Sequence, residues 1–138
     1  MAEAQFWIGI HGVIAESGRL LVLKRAPRMT YRPGNWDLPG GHLAVNENFD
    51  ECLLREIDEE TGLEVEIERM LGLNKMPNRP YVQALYACRP LGARREIRLQ
   101  PWEHVEARWL TLDELAAIES RIPYLDAILT RGLLDYLK

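Results

Sequence analysis

Residues 46–63 carry the pattern that most restricts how this chain can fold. Asn46 or Asn48 can cap a helix, and Glu51 stands three residues after Asn48, the spacing of a capping box. Phe49, Leu53, Leu54 and Ile57 recur at helical spacing, and Gly62 supplies a left-handed stop. A helix bounded this tightly needs a sheet to cover its apolar stripe. The flanking sequence offers one. Phe6 to Ile14 and Leu20 to Leu23 are apolar runs separated by Ser17-Gly18, which predicts a hairpin. After the helix, Val65 and Ile67 alternate with Glu64, Glu66 and Glu68 as in a half-exposed strand, and Met70 to Leu73 can extend it. Further strands are predicted over Tyr81 to Cys88, around Ile97 and Leu99, and over Ala107 to Leu110. Thr111 can cap a helix over 112–118, and Leu125, Ile128, Leu129 and Leu133 share one face of a terminal helix over 124–137. Loops are expected at 26–35, 74–80 and 89–95. Strands and helices intermix without repeat or linker, so the expectation is α/β: a mixed β-sheet flanked by helices on both faces, one domain over 1–138.

The end of the central helix is electrostatically odd. Glu56, Glu59 and Glu60 stand at i, i+3 and i+4, so their carboxylates share a face. They repel one another and also meet the negative end of the helix dipole, each effect costing some tenths of a kcal/mol. A hard divalent cation would reconcile them, since magnesium takes carboxylate oxygens and keeps positions for phosphate. Taken alone, such a trio reads as a solvated acidic face. Arg55, four residues before Glu59 and four after Glu51, can bridge carboxylates and fix their rotamers. Gly40-Gly41 lets backbone approach a ligand where a side chain would obstruct it.

The balance of charge narrows the partners. Formal net charge is −4 over 138 residues, which argues against a nucleic-acid polymer and admits a phosphate-bearing substrate only through a cation. No apolar run reaches the length of a membrane helix. Met1-Ala2-Glu3-Ala4-Gln5 lacks the basic start and apolar stretch of a signal peptide, so a cytoplasmic protein is expected. Cys52 and Cys88 have no metal-ligand spacing and are expected to be reduced, semi-buried thiols.

Residues 41–63 satisfy every fixed position of the Nudix box G-x5-E-x7-R-E-U-x-E-E-x-G-U, U being a bulky apolar residue: Gly41, Glu47, Arg55, Glu56, Ile57, Glu59, Glu60, Gly62 and Leu63. The element order resembles that family over nearly the whole chain. The resemblance implies an α/β/α sandwich with the box as loop–helix–loop, and hydrolysis of nucleoside diphosphates linked to another moiety. It further implies that Glu56, Glu59 and Glu60 ligate magnesium, or manganese in its place, helped by a backbone carbonyl at Gly40 or Gly41. Arg55 would orient, and Glu47 would chiefly tie the loop to the helix.

The general base is left open between Glu56 and an acid outside the box. Glu103, then Glu106, stand shortly before Trp109-Leu110, where many relatives supply a further metal ligand; His104 reads as incidental. Arg25 ends the second strand, where relatives often contact phosphate or base, and is preferred over Lys24, Arg28 and Arg32. A base needs a flat apolar surface; Trp36 and Tyr81 are the first candidates, with Trp7 and Trp102 behind. Tyr81 resembles a tyrosine of dinucleoside-polyphosphate-cleaving relatives, whereas Pro77 and Pro80 resemble the ADP-ribose-cleaving branch. The first expectation is a MutT-like nucleoside triphosphate pyrophosphohydrolase, acting as monomer or homodimer on a small nucleotide. Nucleoside diphosphate sugar, ADP-ribose and dinucleoside polyphosphate hydrolases come next. A non-catalytic nucleotide-sensing or partner-binding module, which would usually lose box glutamates, and a decapping nuclease come last.

Overall fold

Strand β1 (Trp7–Glu16) turns through Ser17-Gly18 into β2 (Arg19–Arg25), as the hairpin signal predicts. The computed structural model describes residues 3–138; Met1 and Ala2, part of the stretch read as lacking a signal peptide, lie outside it. The hairpin pairs only at its tip, Ala15 with Leu20 and Glu16 with Arg19. Beyond the tip the strands part. The freed edge of β1 is taken by β4 (Gly40–His42), and β2 pairs with β3 (Trp36–Asp37) and antiparallel β7 (His104–Leu110). On its other edge β1 runs parallel to β6 (Tyr81–Pro90), which pairs antiparallel with β5 (Val65–Lys75). These seven strands form one mixed sheet.

Helix α1 (Phe49–Thr61) covers one face. Asn48 is its cap, accepting from the Glu51 N–H while the Glu51 carboxylate accepts from the Asn48 N–H, and Gly62 closes it at φ 75°. Leu53, Ile57 and Cys52 pack on Ile10, Ile14, Leu21 and Leu23. Helices α2 (Leu112–Ala117) and α3 (Pro123–Thr130) cover the opposite face, where Leu115, Leu125 and Ile128 meet Val13, Leu20 and Leu85. Thr111 caps α2 through a second capping box. The result is an α/β/α sandwich. Cys52 and Cys88 are buried free thiols. Among the described residues no helix is long and apolar enough to cross a membrane.

Three expectations are corrected. No strand forms around Ile97 and Leu99; their side chains pack on the α1-side core, while the Arg98 N–H donates to the Thr61 carbonyl at 2.8 Å and the Gln100 amide to that of Glu59 at 3.1 Å. The segment therefore serves the unpaired carbonyls at the end of α1 instead of a sheet edge. The terminal helix stops at Thr130, because Gly132 turns left-handed at φ 74° and returns buried Leu134 to the core; a short 3-10 turn spans Asp135–Leu137. The loop expected at 74–80 begins later, since Asn74 and Lys75 still belong to β5.

Candidate active site

The wedge between the parted strands opens as a cleft of about 790 Å3. Its floor is the Gly40-Gly41 backbone lying against β1. A Cβ on Gly40 would strike the Ile10 carbonyl, and its φ of 154° is a conformation that side chains disfavour. A Cβ on Gly41 would run into the Glu56 carboxylate. The glycine pair is thus what lets α1 lay an acid directly on the strand.

Glu60 lies deeper. Its Oε1 accepts the Gly40 N–H at 2.8 Å and its side chain is 8% exposed. Burial holds its carboxyl well above the usual range; Glu56, Asp37 and Glu103 push the same way, against the Gly40 bond. Glu56 is also raised, again chiefly by burial, with Arg55 opposing from 3.0 Å. Glu59 faces outward. Its side chain is 54% exposed, pairs with Arg55 at 3.2 Å and does not line the cleft. Arg55 grips Glu47 through Nε at 2.9 Å and Nη2 at 2.8 Å, and Glu47 accepts the Ala44 N–H, so that acid ties loop to helix. The Arg55 bonds hold the Glu47 carboxyl down to about 2.

Opposite the helix, a turn brings in Glu103 and His104. Both N–H groups donate to the Gln100 carbonyl at 2.9 Å, and the Ala26 N–H holds the Glu103 carbonyl at 2.8 Å. One donor atom from each of Glu60, Glu103 and His104 lies within 4.8 Å of the other two. His104, read from sequence as incidental, is buried, and its Nδ1 has no hydrogen-bond partner among the described residues. Burial lowers its pKa to about 4, so the imidazole is neutral at physiological pH. Glu106 points away and pairs with Arg108 at 3.2 Å. Carboxylates from helix and turn, glycine carbonyls and an unpaired imidazole nitrogen together fit a divalent cation.

The far wall is basic and aromatic. Tyr31 is approached by the guanidiniums of Arg25, Arg32 and Arg79 at 5.8, 6.0 and 4.8 Å from its ring centre. Neither Arg32 nor Arg79 forms an ion pair among the described residues, and both line the cleft. Arg25 also lines it, but is engaged with Asp37 at 3.2 Å and the Tyr31 carbonyl at 2.8 Å, an anchor for the wall. Tyr81 lies over Gly9, where a Cβ would come 2.7 Å from its hydroxyl, and its ring sits 5.1 Å from that of His42, followed by Trp7 at 5.7 Å from His42. Trp36 is not part of this surface. It is 4% exposed within the core, with Arg108 over its ring at 5.1 Å, and does not reach the cleft. Trp102 is exposed and outside the lining.

Asp37, His11 and Tyr124 complete the floor. Asp37 accepts from the Tyr124 hydroxyl and, at 2.7 Å, from the Leu38 N–H; His11 Nδ1 lies 3.2 Å from the same hydroxyl. Only Asp37, next to the glycine pair in Trp36-Asp37-Leu38-Pro39-Gly40-Gly41, carried any local signal of involvement.

A family model described as the NUDIX domain matches residues 7–129. The chain belongs to the Nudix family. Among curated Nudix relatives, a MutT-like protein of Streptomyces ambofaciens is 36% identical over 104 residues, covering 75% of this chain and 62% of its own. An ADP-ribose pyrophosphatase of Methanocaldococcus jannaschii is 33% identical over 72 residues, covering 52% and 41%. The chain thus spans less than two thirds of the length of these relatives. The MutT protein of Methanosarcina mazei Go1 superposes over 100% of both chains with a TM-score of 0.82 at 24% identity, a likeness of fold.

Proposed function

We propose that this Nudix domain hydrolyses the diphosphate linkage of a small nucleotide, foremost a nucleoside triphosphate to the monophosphate and pyrophosphate. The observation that carries the reading is the division of one cleft into an acidic wall, Glu56, Glu60 and Glu103, and a basic wall around Tyr31. Such a pair of walls suits a phosphate chain reached through a cation on one side and directly on the other. Glu56, Glu60 and Glu103, with a carbonyl of Gly40 or Gly41, would hold magnesium or manganese; Glu59 would join by turning from Arg55. Bound there, the ion would neutralise charge on phosphate oxygens and act as a Lewis acid.

The chain's own groups do the rest. Glu56, half-buried beside Gly41, accepts the proton of the water that attacks phosphorus through a carboxylate oxygen not taken by the ion, with Glu103 the alternative base. The P–O anhydride bond between the α- and β-phosphorus breaks as the new P–O bond forms at one of them, and the bridging oxygen leaves on the phosphate of the other fragment. Arg32 and Arg79 attract that phosphate, while Tyr81 and Trp7 offer faces for the base. Arg55 keeps Glu47 and the loop in position.

The MutT-like name of the Streptomyces relative favours the triphosphate; the name of the Methanocaldococcus relative makes ADP-ribose the first competitor. Product analysis with magnesium across nucleoside triphosphates, ADP-ribose, nucleoside diphosphate sugars and dinucleoside polyphosphates tests this. Pyrophosphate from a triphosphate with the highest kcat/KM is expected. A faster ADP-ribose reaction would move the substrate, and no turnover of any diphosphate-linked nucleotide would overturn the reading.

A further inference from the structure

In a regular strand, adjacent side chains point to opposite faces. Glu103 and His104 break that rule because the Gln100 turn takes both their N–H groups, and β7 is irregular just beyond. Lys24 pairs with Glu106 but Arg25 pairs with His104, so Val105 is the extra residue of a bulge. The bulge leaves Val105 exposed and turns His104 in beside Glu103.

An imidazole 4% exposed should have a partner on each nitrogen that solvent cannot reach. Among the described residues His104 Nδ1 has none, and the closest carboxylate oxygen, Glu60 Oε2, is 4.0 Å away, beyond hydrogen-bond length. Glu60 spends its other oxygen on Gly40. Donors bonded at about 2.1 Å to a common ion lie up to about 4.2 Å apart. The Glu60–Glu103–His104 donors, all within 4.8 Å of one another, therefore need only a small contraction to share one.

We infer that His104 is a nitrogen ligand in the acidic wall, giving a site that prefers manganese(II) or a later transition ion over magnesium. Imidazole is a poor ligand for magnesium and a good one for ions higher in the Irving–Williams order. The inference rests on the acidic wall being a metal site, as proposed above, and not on any hydrolysis taking place there.

Pulsed electron paramagnetic resonance of the nucleotide-free protein saturated with manganese(II) tests it. Nitrogen hyperfine modulation is expected in the wild type and not in His104→Gln, which should also bind manganese(II) roughly tenfold or more weakly. Magnesium affinity should change less. His42→Gln, at the cleft edge, should keep the nitrogen signal. Should His104→Gln fail to fold, Glu103→Gln provides the second arm: weakened manganese(II) affinity with the nitrogen signal retained at saturation. No nitrogen coupling in the wild type, its survival in His104→Gln, its loss in His42→Gln, or unchanged affinity in Glu103→Gln would each overturn the assignment. Turnover enters none of these readouts, so an inactive protein with a nitrogen-coupled ion would sink the hydrolase reading alone.

Discussion

Glu59 and Glu60 are chain neighbours of identical chemistry, yet they live in different solvents. A helix turns about 100° per residue. One carboxylate therefore reaches water and is held by Arg55, while the next enters the cleft with a single backbone donor and other acids around it. The exposed side of α1 solves its charge problem with an arginine. Glu56, between the two in exposure, keeps one contact to that arginine, whereas Glu60 has none, and its carboxyl, without a cationic partner among the described residues, is what a cation can use. Stability and binding have been assigned to opposite flanks of one helix turn.

The comparison can be broken most decisively at Glu60. Glu60→Gln is expected to lower kcat/KM roughly 1,000-fold, about 4 kcal/mol of transition-state stabilisation, while the metal-free fold is kept or strengthened. Steady-state kinetics with denaturant unfolding checks both halves; near-normal turnover would place Glu60 with Glu59. Gly41→Ala comes next. The new methyl displaces the Glu56 carboxylate, a movable group, so activity should fall about 100-fold with stability changed by less than about 1 kcal/mol. Gly40→Ala meets immovable β1 backbone and should instead destabilise by about 2–3 kcal/mol, read from urea midpoints.

Acids farther from the buried flank should matter less. Glu103→Gln is expected to cost about tenfold in kcat/KM, Glu59→Gln less, and Glu68→Gln, outside the cleft, nothing measurable. Equal losses for Glu103 and Glu68 would remove the turn acid from the site.

The finest test is a slope with pH. Burial raises the folded-state pKa of Glu60 above the ordinary 4.5. Its contribution to stability is complete below that value and disappears as pH climbs through the raised one. In metal-free protein, the stability advantage of Glu60→Gln over wild type should therefore grow as pH rises above the ordinary 4.5 in urea titrations. His104, lowered from 6.5 to about 4, acts the other way, its contribution being present above 6.5 and lost as pH falls through 4; it is common to both proteins. A flat difference would mean that Glu60 is not desolvated.

What the sequence reveals follows the range of the forces involved. The limits of α1 are legible because Asn48, Glu51 and Gly62 act within one turn of where they sit. The hairpin is legible for the same reason. Strands β3 and β4, of two and three residues, exist only through partners far along the chain, such as His11 for Gly40, and no local pattern announces them. Glu56 and Glu60 could be placed on one helix face, but which flank of that face meets the sheet depends on packing. Trp36 could be a base platform, although such a side chain is more often core, and tertiary burial decides for the core. His104 was hardest: Glu103-His104-Val105-Glu106 reads as a solvated turn, and only the bulge inverts it.

Tyr124 belongs to the first turn of α3, yet its hydroxyl reaches Asp37 and His11 beneath the cleft. Closure of the carboxyl-terminal helix and order in the cleft floor therefore share one free-energy balance. Ligand that steadies Asp37 will slow amide exchange in α3, and shortening the chain ahead of Tyr124 will loosen a cleft floor whose Asp37 and His11 lie more than eighty positions earlier.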